Sequence, residues 1–524
     1  MWQRPTVAVL GGAALSAAFE PIDLPWLLPF AVACFALATD VASPRRSALA
    51  GLIFGVCFYF PHIAWMRASI GTDAWLALAG IEAAFYGLLG LAVPLLRRLP
   101  LWPLWLAAAW TTMESLRSGW PFSGMPWGRL AFAAIDTPVA PAVAYAGMSG
   151  LSFLLALLSF CLAHTIRQGL AWRPGERLRH RDSLLGSGAA TVGLLALLLT
   201  PALLPYHATQ SGTARVAVVQ GNVPGPGNDI LYDPRGVTEN HVNATVQLAA
   251  DVSAGDAPQP DFVVWPENST ATDPFSDLPV HQGIVEATSA IGVPVLVGGI
   301  VDQGDKYVLN QGIVWDPVTG PGERYTKHHP VPYGEYIPYR DLWEPQFGRL
   351  AEITRNMRSG TSTQPITIAG VEVADAICFD VAYDDVMPAQ VRAGAQMLVV
   401  QTSNASFINT FQIEQQFAIT RLRAIEAGRW LTVASTNGRT GVIDPDGAVV
   451  AAAGIKTTEV LSEQVGLSSD LTPAMRLGPW PSRVLTVLTL LALAAGVITY
   501  RRGVSKDRLA AASLTDQALE QADA

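Results

Sequence analysis

Two regimes of hydrophobic patterning divide the chain. Over the first two hundred residues, apolar runs fill 47–66, 74–96, 139–165 and 183–204. Each is close to the roughly 20 residues an α-helix needs to cross a bilayer. The stretch 101–113 is shorter and flanked by tryptophans, as interfacial anchors often are. Residues 5–19 and 24–39 are short runs separated by the acidic turn Glu20-Pro21-Ile22-Asp23, and a last run, 484–500, ends in Tyr500-Arg501-Arg502. Between about 212 and 470 the pattern changes to short β-rich runs such as Arg215–Gln220, Phe262–Trp265, Val295–Gly299, Ala374–Phe379 and Met397–Gln401. Helical periodicity separates several of them, most clearly over Gln412–Ala427, where Gly428 is a natural C-terminal stop. Strands alternating with helices predict an α/β layered domain.

Arginines orient the apolar runs, because positive residues stay on the cytoplasmic side. Arg4, Arg45–Arg46, Arg97–Arg98, the cluster from Arg167 through Arg173 and Arg177 to Arg181, and Arg501–Arg502 all read as cytoplasmic. Between Arg4 and Arg45 the chain then crosses an even number of times, as two short spans or a re-entrant hairpin. With two, the count is about eight spans, both termini are inside and residues 205–483 are outside. The expected organisation is transmembrane helices over 1–205, an extracytoplasmic domain over 212–470, a final span over 484–500 and a polar, loose cytoplasmic tail over 501–524.

Composition fits a membrane part joined to a soluble one: charged residues are 15% and apolar residues 50% of the 524. A net charge of −9 and the lack of a basic patch with interleaved aromatics argue against a nucleic-acid partner. Of the four cysteines, Cys34, Cys57 and Cys161 lie in apolar runs, while Cys378 is alone in the polar region and has no disulfide partner there.

Three polar residues stand where strands end: Glu267 after Phe262-Val263-Val264-Trp265-Pro266, Lys327 in a Tyr/His/Pro loop, and Cys378 closing Ala374–Ile377. Strand ends of open α/β sheets are where ligands bind. Taken singly, each has an ordinary explanation: a packed thiol, a turn cap, a solvated ammonium. Together they make a thiol nucleophile, a carboxylate to take its proton and an ammonium to hold an oxyanion. His328 and His329 are adjacent, but no further group has metal-ligand spacing and HExxH is absent, so no metal and no cofactor is expected.

The segments WPENS, YTKHHPVPYGEYIP, DAICFD, QTSNAS and RLRAIEAGRWLTVASTNG resemble the nitrilase (carbon–nitrogen hydrolase) superfamily. With the membrane frame and the stretch Trp110–Trp127, they are similar in particular to its membrane-embedded branch, the bacterial apolipoprotein N-acyltransferases. The resemblance implies an αββα sandwich and a triad of Glu267 as general base, Lys327 as oxyanion stabiliser and Cys378 as nucleophile. Glu335 would support the lysine and the reacting centre, and Asp380 stands where the family usually has a glutamate. Phe379 replaces a common tyrosine, and Asn404-Ala405-Ser406-Phe407 lacks the family's tryptophan.

The resemblance further implies that a membrane phospholipid donates an acyl chain to Cys378 as a thioester. The α-amine of a diacylglyceryl-cysteine on an incoming apolipoprotein then takes it. Lipid bilayer and both substrates are thus the expected partners, and the expected enzyme is a monomer. Tyr336, Trp343 and Phe347, in an apolar stretch over 335–350, are candidate substrate contacts within a membrane-facing lid, and Asn404 is a further candidate. Arg117 and Arg129, near the outer interface, are candidates for lipid phosphates. Two other readings stay open: a membrane-bound carbon–nitrogen hydrolase or amidase passing the acyl group to water, and a non-catalytic lipoprotein-binding protein.

Overall fold

The structure, a computed structural model, describes residues 3–171, 178–342, 350–351 and 353–522. Trp343, Phe347, Arg173 and Arg177 lie outside the described residues. The apolar N-terminal runs form α1 (Gln3–Ala17), α2 (Leu28–Ala38), α3 (Pro44–His62), a one-turn α4 (Met66–Ser69), α5 (Thr72–Leu96), α6 (Trp102–Arg117), α7 (Val143–Ala171) and α8 (Leu178–Leu203). Among the described residues four segments are long and apolar enough to cross a membrane, namely Thr72–Leu96, Ala140–Ala171, Asp182–Leu203 and Trp480–Arg502.

Successive helices run between two poles. At one pole Asp40 takes salt bridges from Arg97 (2.9 Å) and Arg167 (3.4 Å), its carbonyl accepts from Arg4, and Arg98 lies over Tyr500. Arg4, Arg97, Arg98 and Arg167 therefore lie at one end of the bundle. The bundle packs backbone to backbone where small residues allow it. A Cβ on Gly51 would sit 2.2 Å from the Tyr86 carbonyl and one on Gly90 2.6 Å from that of Ser47, which locks α3 against α5.

The phosphate role expected of two arginines does not hold. Arg117 is fully buried in the bundle, 3.3 Å from Glu82 and donating to the Met125 and Trp127 carbonyls at 2.9 and 2.6 Å. Arg129 is buried against Asp384 at 2.8 Å. A guanidinium taken out of water needs its countercharge inside the protein, so neither is free for a lipid headgroup.

Beyond α8 the chain builds two sheets. The first has the order β13-β1-β2-β3-β4-β5: Gly212–Gln220 (β1), Phe262–Val264 (β2), Val295–Gln303 (β3), Tyr307–Asp316 (β4), Gly320–Thr326 (β5) and Glu459–Leu467 (β13), with the short Asn356–Met357 (β6) paired to β4. The second has the order β12-β11-β10-β9-β8-β7: Ile366–Ile368 (β7), Val371–Ile377 (β8), Met397–Thr402 (β9), Leu431–Ser435 (β10), Gly441–Ile443 (β11) and Val449–Ala452 (β12). β1, β2 and β3 run parallel, as do β8, β9 and β10.

Both faces of the central strands are covered, so they read as unbroken apolar runs. On β1, Val216 and Val218 face the second sheet while Ala217 and Val219 face α9 (Pro234–Ala254) and α10 (Leu278–Ile291). On β8 and β9, Ala374, Ala376, Leu398 and Val400 face the other way, toward the short α11 (Met387–Arg392) and α12 (Gln412–Ala427). This is the expected αββα sandwich. α12 stops at Gly428, whose φ of +62° is the left-handed C-terminal turn.

α12 is the seam between the halves, buried on nearly every side. Its Gln415 amide accepts from the Trp127 indole (2.7 Å) and the Trp65 indole (3.0 Å) and donates to the Glu20 and His62 carbonyls (2.9 and 3.1 Å). Arg423, also buried, binds Glu426 and Asp384 and donates to the Val381 and Tyr383 carbonyls. After a one-turn α13 (Pro473–Leu477), α14 spans Trp480–Ala522. The helix does not stop at 500: the Ala-, Leu- and Gln-rich stretch expected to be loose carries on as helix, as good helix formers allow.

Arg423→Met should lower stability by about 3 kcal/mol, because it strands a buried Glu426 carboxylate. Arg421→Met, which breaks the partly exposed pair with Asp136 (2.8 Å), should cost no more than about 1 kcal/mol. Thermal unfolding of both variants in detergent, followed by tryptophan fluorescence, checks the ranking.

Candidate active site

Glu267, Lys327 and Cys378 arrive from three strand ends at one edge of the sandwich. β2 delivers Trp265-Pro266-Glu267, β5 runs into Lys327, and β8 stops at Ile377, one residue before Cys378. The first two belong to one sheet and the third to the other, so the site lies across the sandwich mouth.

Lys327 is fully buried, with Nζ 3.0 Å from Glu267 Oε1 and 2.6 Å from Glu335 Oε1. Glu267 is fixed further by the Asn310 amide donating to Oε1 (2.7 Å) and the Ser403 N–H donating to Oε2 (2.9 Å). Glu335 accepts the Val331 N–H on its other oxygen at 2.8 Å. Burial opposes the lysine charge, but Glu267 and Glu335 outweigh it and hold the ammonium well above the usual lysine range. Burial also raises the Glu335 carboxyl, against the pull of Lys327.

Cys378 is half-buried and opens a 3-10 turn, Cys378–Ala382, with φ of +51°. A side chain in that left-handed region costs roughly 1–2 kcal/mol, and such strain persists only where neighbours impose it. Burial, then the Glu267 carboxylate, push the thiol far above its ordinary range, while Lys327 and the Thr402 hydroxyl pull the other way. The resting group is a neutral thiol beside an ionised lysine, so a base must take its proton as it attacks.

Asp380 is buried and does not touch the lysine. Its carboxylate accepts from the Tyr325 hydroxyl (2.6 Å) and the His329 and His328 N–H groups (2.7 and 3.2 Å). It therefore pins the Lys327 loop to the nucleophile's own turn, and the short aspartate side chain reaches all three donors. Phe379 stacks on Trp127 of the helical half (5.9 Å, 24°) and meets Tyr383 edge-on at 5.2 Å.

The other candidates are placed differently. Tyr336, half-buried, donates to the Phe122 carbonyl at 3.1 Å and so ties the residue after Glu335 to the helical half. Asn404 is buried at φ +40°, accepting from the Ser435 hydroxyl at 2.8 Å, with its amide near Thr402 and Gln416. Asn310, Thr402 and Ser403 escaped notice as site residues. Thr402 and Ser403 lie within QTSNAS, but Asn310 sits mid-strand with no motif around it.

Two family profiles match in tandem. The apolipoprotein N-acyltransferase N-terminal domain covers residues 11–161, and the carbon–nitrogen hydrolase domain covers 215–469. Fold and site thus define an α/β enzyme of the carbon–nitrogen hydrolase class joined to a helical membrane domain. The apolipoprotein N-acyltransferase of Mycolicibacterium smegmatis is 35% identical over 94% of this chain and 85% of its own length. That of Pseudomonas putida is 29% identical over 95% of this chain and 98% of its own. The solved nitrilase-superfamily protein Nit3 of Saccharomyces cerevisiae shows 18% identity and a TM-score of 0.37, over 50% of this chain and 93% of its own. The chain belongs to the apolipoprotein N-acyltransferase family, and is an acyltransferase.

The charges around Cys378 give a signed expectation for its reactivity. Glu267→Gln removes a charge that raises the thiol pKa, so alkylation of Cys378 should begin at lower pH. Lys327→Met removes one that lowers it, so the onset should move to higher pH. Iodoacetamide labelling against pH, read at Cys378 by peptide mass, checks both directions.

Proposed function

We propose that this chain transfers an acyl group from a membrane phospholipid to the α-amine of a diacylglyceryl-cysteine at an apolipoprotein N-terminus, through a thioester on Cys378. The observation that carries this reading is the Cys378 thiol set beside the buried Glu267–Lys327–Glu335 cluster at the seam with the helical domain. Glu267 takes the thiol proton as Sγ bonds to the ester carbonyl carbon, and Lys327 donates to the oxyanion. The ester C–O bond breaks, and the leaving lysophospholipid alkoxide recovers the proton from Glu267. In the second half the amine attacks the thioester, Glu267 relays the proton, and the C–S bond breaks to restore the thiol. Glu335 keeps Lys327 charged and aimed throughout. One oxyanion donor of this kind contributes about 10²–10³ in rate.

Both substrates are lipid-anchored, which accounts for a helical half this large. The apolar helices α1, α2, α3, α5, α6, α7, α8 and α14 would be eight crossings, the shorter α1, α2 and α6 among them. The arginine pole would be cytoplasmic, residues 212–470 extracytoplasmic, 484–500 the core of the last span and 501–524 a cytoplasmic tail. The arginine cluster on Asp40 supports this orientation. Tyr339 and Leu342 are exposed, at 70% and 85%, and fit a membrane-facing lid over 335–350 through which acyl chains enter, with Tyr336, Trp343 and Phe347 as its contacts. The enzyme would act as a monomer.

Acyl-labelled phospholipid, supplied with and without a diacylated peptide bearing a free α-amine, tests the reading. Label should move to the peptide amine, with a loss of about 10² or more in Lys327→Met. Release of free fatty acid at the same rate with and without the peptide would instead mark a hydrolase.

A further inference from the structure

Two adjacent histidines offered no metal site on sequence spacing, but the fold brings a third ligand to them. Asp385 stands 56 residues beyond His329, in the segment that follows the nucleophile turn. His329 Nε2 lies 2.9 Å from Asp385 Oδ1 and 3.1 Å from Oδ2. The imidazole rings of His328 and His329 are 4.9 Å apart by centroid. One ligand atom from each of the three residues falls within 4.8 Å of the others. We propose that His328, His329 and Asp385 bind one divalent transition cation of the Zn²⁺ type.

Three features favour a site over a plain His–Asp ion pair. First, His328 Nδ1 is buried without a hydrogen-bond partner. Buried imidazole nitrogens are ordinarily satisfied, so this one has coordinating capacity that the protein does not use. Second, the ligands are held from behind. The backbone N–H groups of His328 and His329 both donate to Asp380, which fixes the main chain that carries the two rings, and the His329 ring lies flat on Tyr383 at 3.6 Å and 4°. Tyr383 is itself fixed by donating to the Ser123 and Gly124 carbonyls. Supports of this kind orient metal ligands and strengthen binding. Third, the Asp385 carboxylate is 58% exposed, which leaves an entry path and room for water to complete a tetrahedron.

The donor set selects the cation. Two imidazoles and one carboxylate suit Zn²⁺, Ni²⁺ or Cu²⁺, whereas Mg²⁺ and Ca²⁺ require more oxygen ligands. Closing the three donors around a cation draws the loop that carries Lys327 toward the segment that follows Cys378. Bound cation therefore clamps the two sides of the site together and stabilises the folded state by mass action, increasingly as its free concentration exceeds Kd. The site stands whether or not the acyl acceptor proposed above is the right one.

The test is calorimetric titration of ZnCl₂ into the full chain in detergent, free of any affinity tag, with thermal melting alongside. The expected result is one saturable Zn²⁺ per chain, a raised melting midpoint, and no such binding of Mg²⁺. Asp385→Asn and His329→Gln should each weaken binding tenfold or more, the former at an exposed position where folding is not at stake. Cys378→Ala should leave it unchanged, which separates this site from zinc capture by the nucleophile. Absence of saturable binding overturns the proposal. So does affinity unaltered in both Asp385→Asn and His329→Gln, or abolished in Cys378→Ala.

Discussion

A buried ammonium cannot stand without countercharge, and that constraint at Lys327 organises the α/β half. With its charge fully out of water, Lys327 is stable only between Glu267 and Glu335, at 3.0 and 2.6 Å. Each carboxylate must then be immobilised in turn, Glu267 by Asn310 and the Ser403 N–H, Glu335 by the Val331 N–H. The result is an oxyanion donor whose position is set before any substrate arrives, which is the condition under which such a charge accelerates a reaction. Burial, reinforced by the Glu267 carboxylate, pushes the Cys378 thiol far above its ordinary range while Lys327 opposes it, so attack on a carbonyl needs a base to take the proton.

The helical half reaches into this arrangement at several points. Tyr336, next to Glu335, hydrogen-bonds the Phe122 carbonyl; Phe379, next to Cys378, stacks on Trp127; Tyr383 bonds the Ser123 and Gly124 carbonyls. α12 binds the two halves along its length through Gln415 and Arg423. A soluble sandwich would leave these side chains facing water, whereas here they seat the nucleophile turn and the Glu335 loop on the helical domain.

Much of this was legible in the sequence. The apolar runs located the long helices, and Gly428 marked the end of α12. The central strands declared themselves because both faces are buried. The edge strands did not: β5 (Gly320–Thr326) is exposed over four consecutive residues, and β13 (Glu459–Leu467) sets glutamates and a serine among its apolar residues, so neither shows an apolar run. The three site residues were found at strand ends and through the family resemblance. The contacts that fix them were not, because hydrogen bonds such as Asn310 to Glu267 span 43 residues and leave no local pattern. The Glu82–Arg117 pair was invisible for the same reason: each charge looked isolated until the bundle brought them together. The aspartate at 380, a departure from the family pattern, becomes intelligible only once Tyr325, His328 and His329 are seen to converge on it.

The central claim is that Cys378 carries the acyl group. Intact-mass analysis of the enzyme after incubation with phospholipid alone, without acceptor, tests it most directly. An increase by the mass of one acyl chain, present in the unaltered chain and absent in Cys378→Ala, is the predicted result. The same adduct persisting in Cys378→Ala would contradict the account.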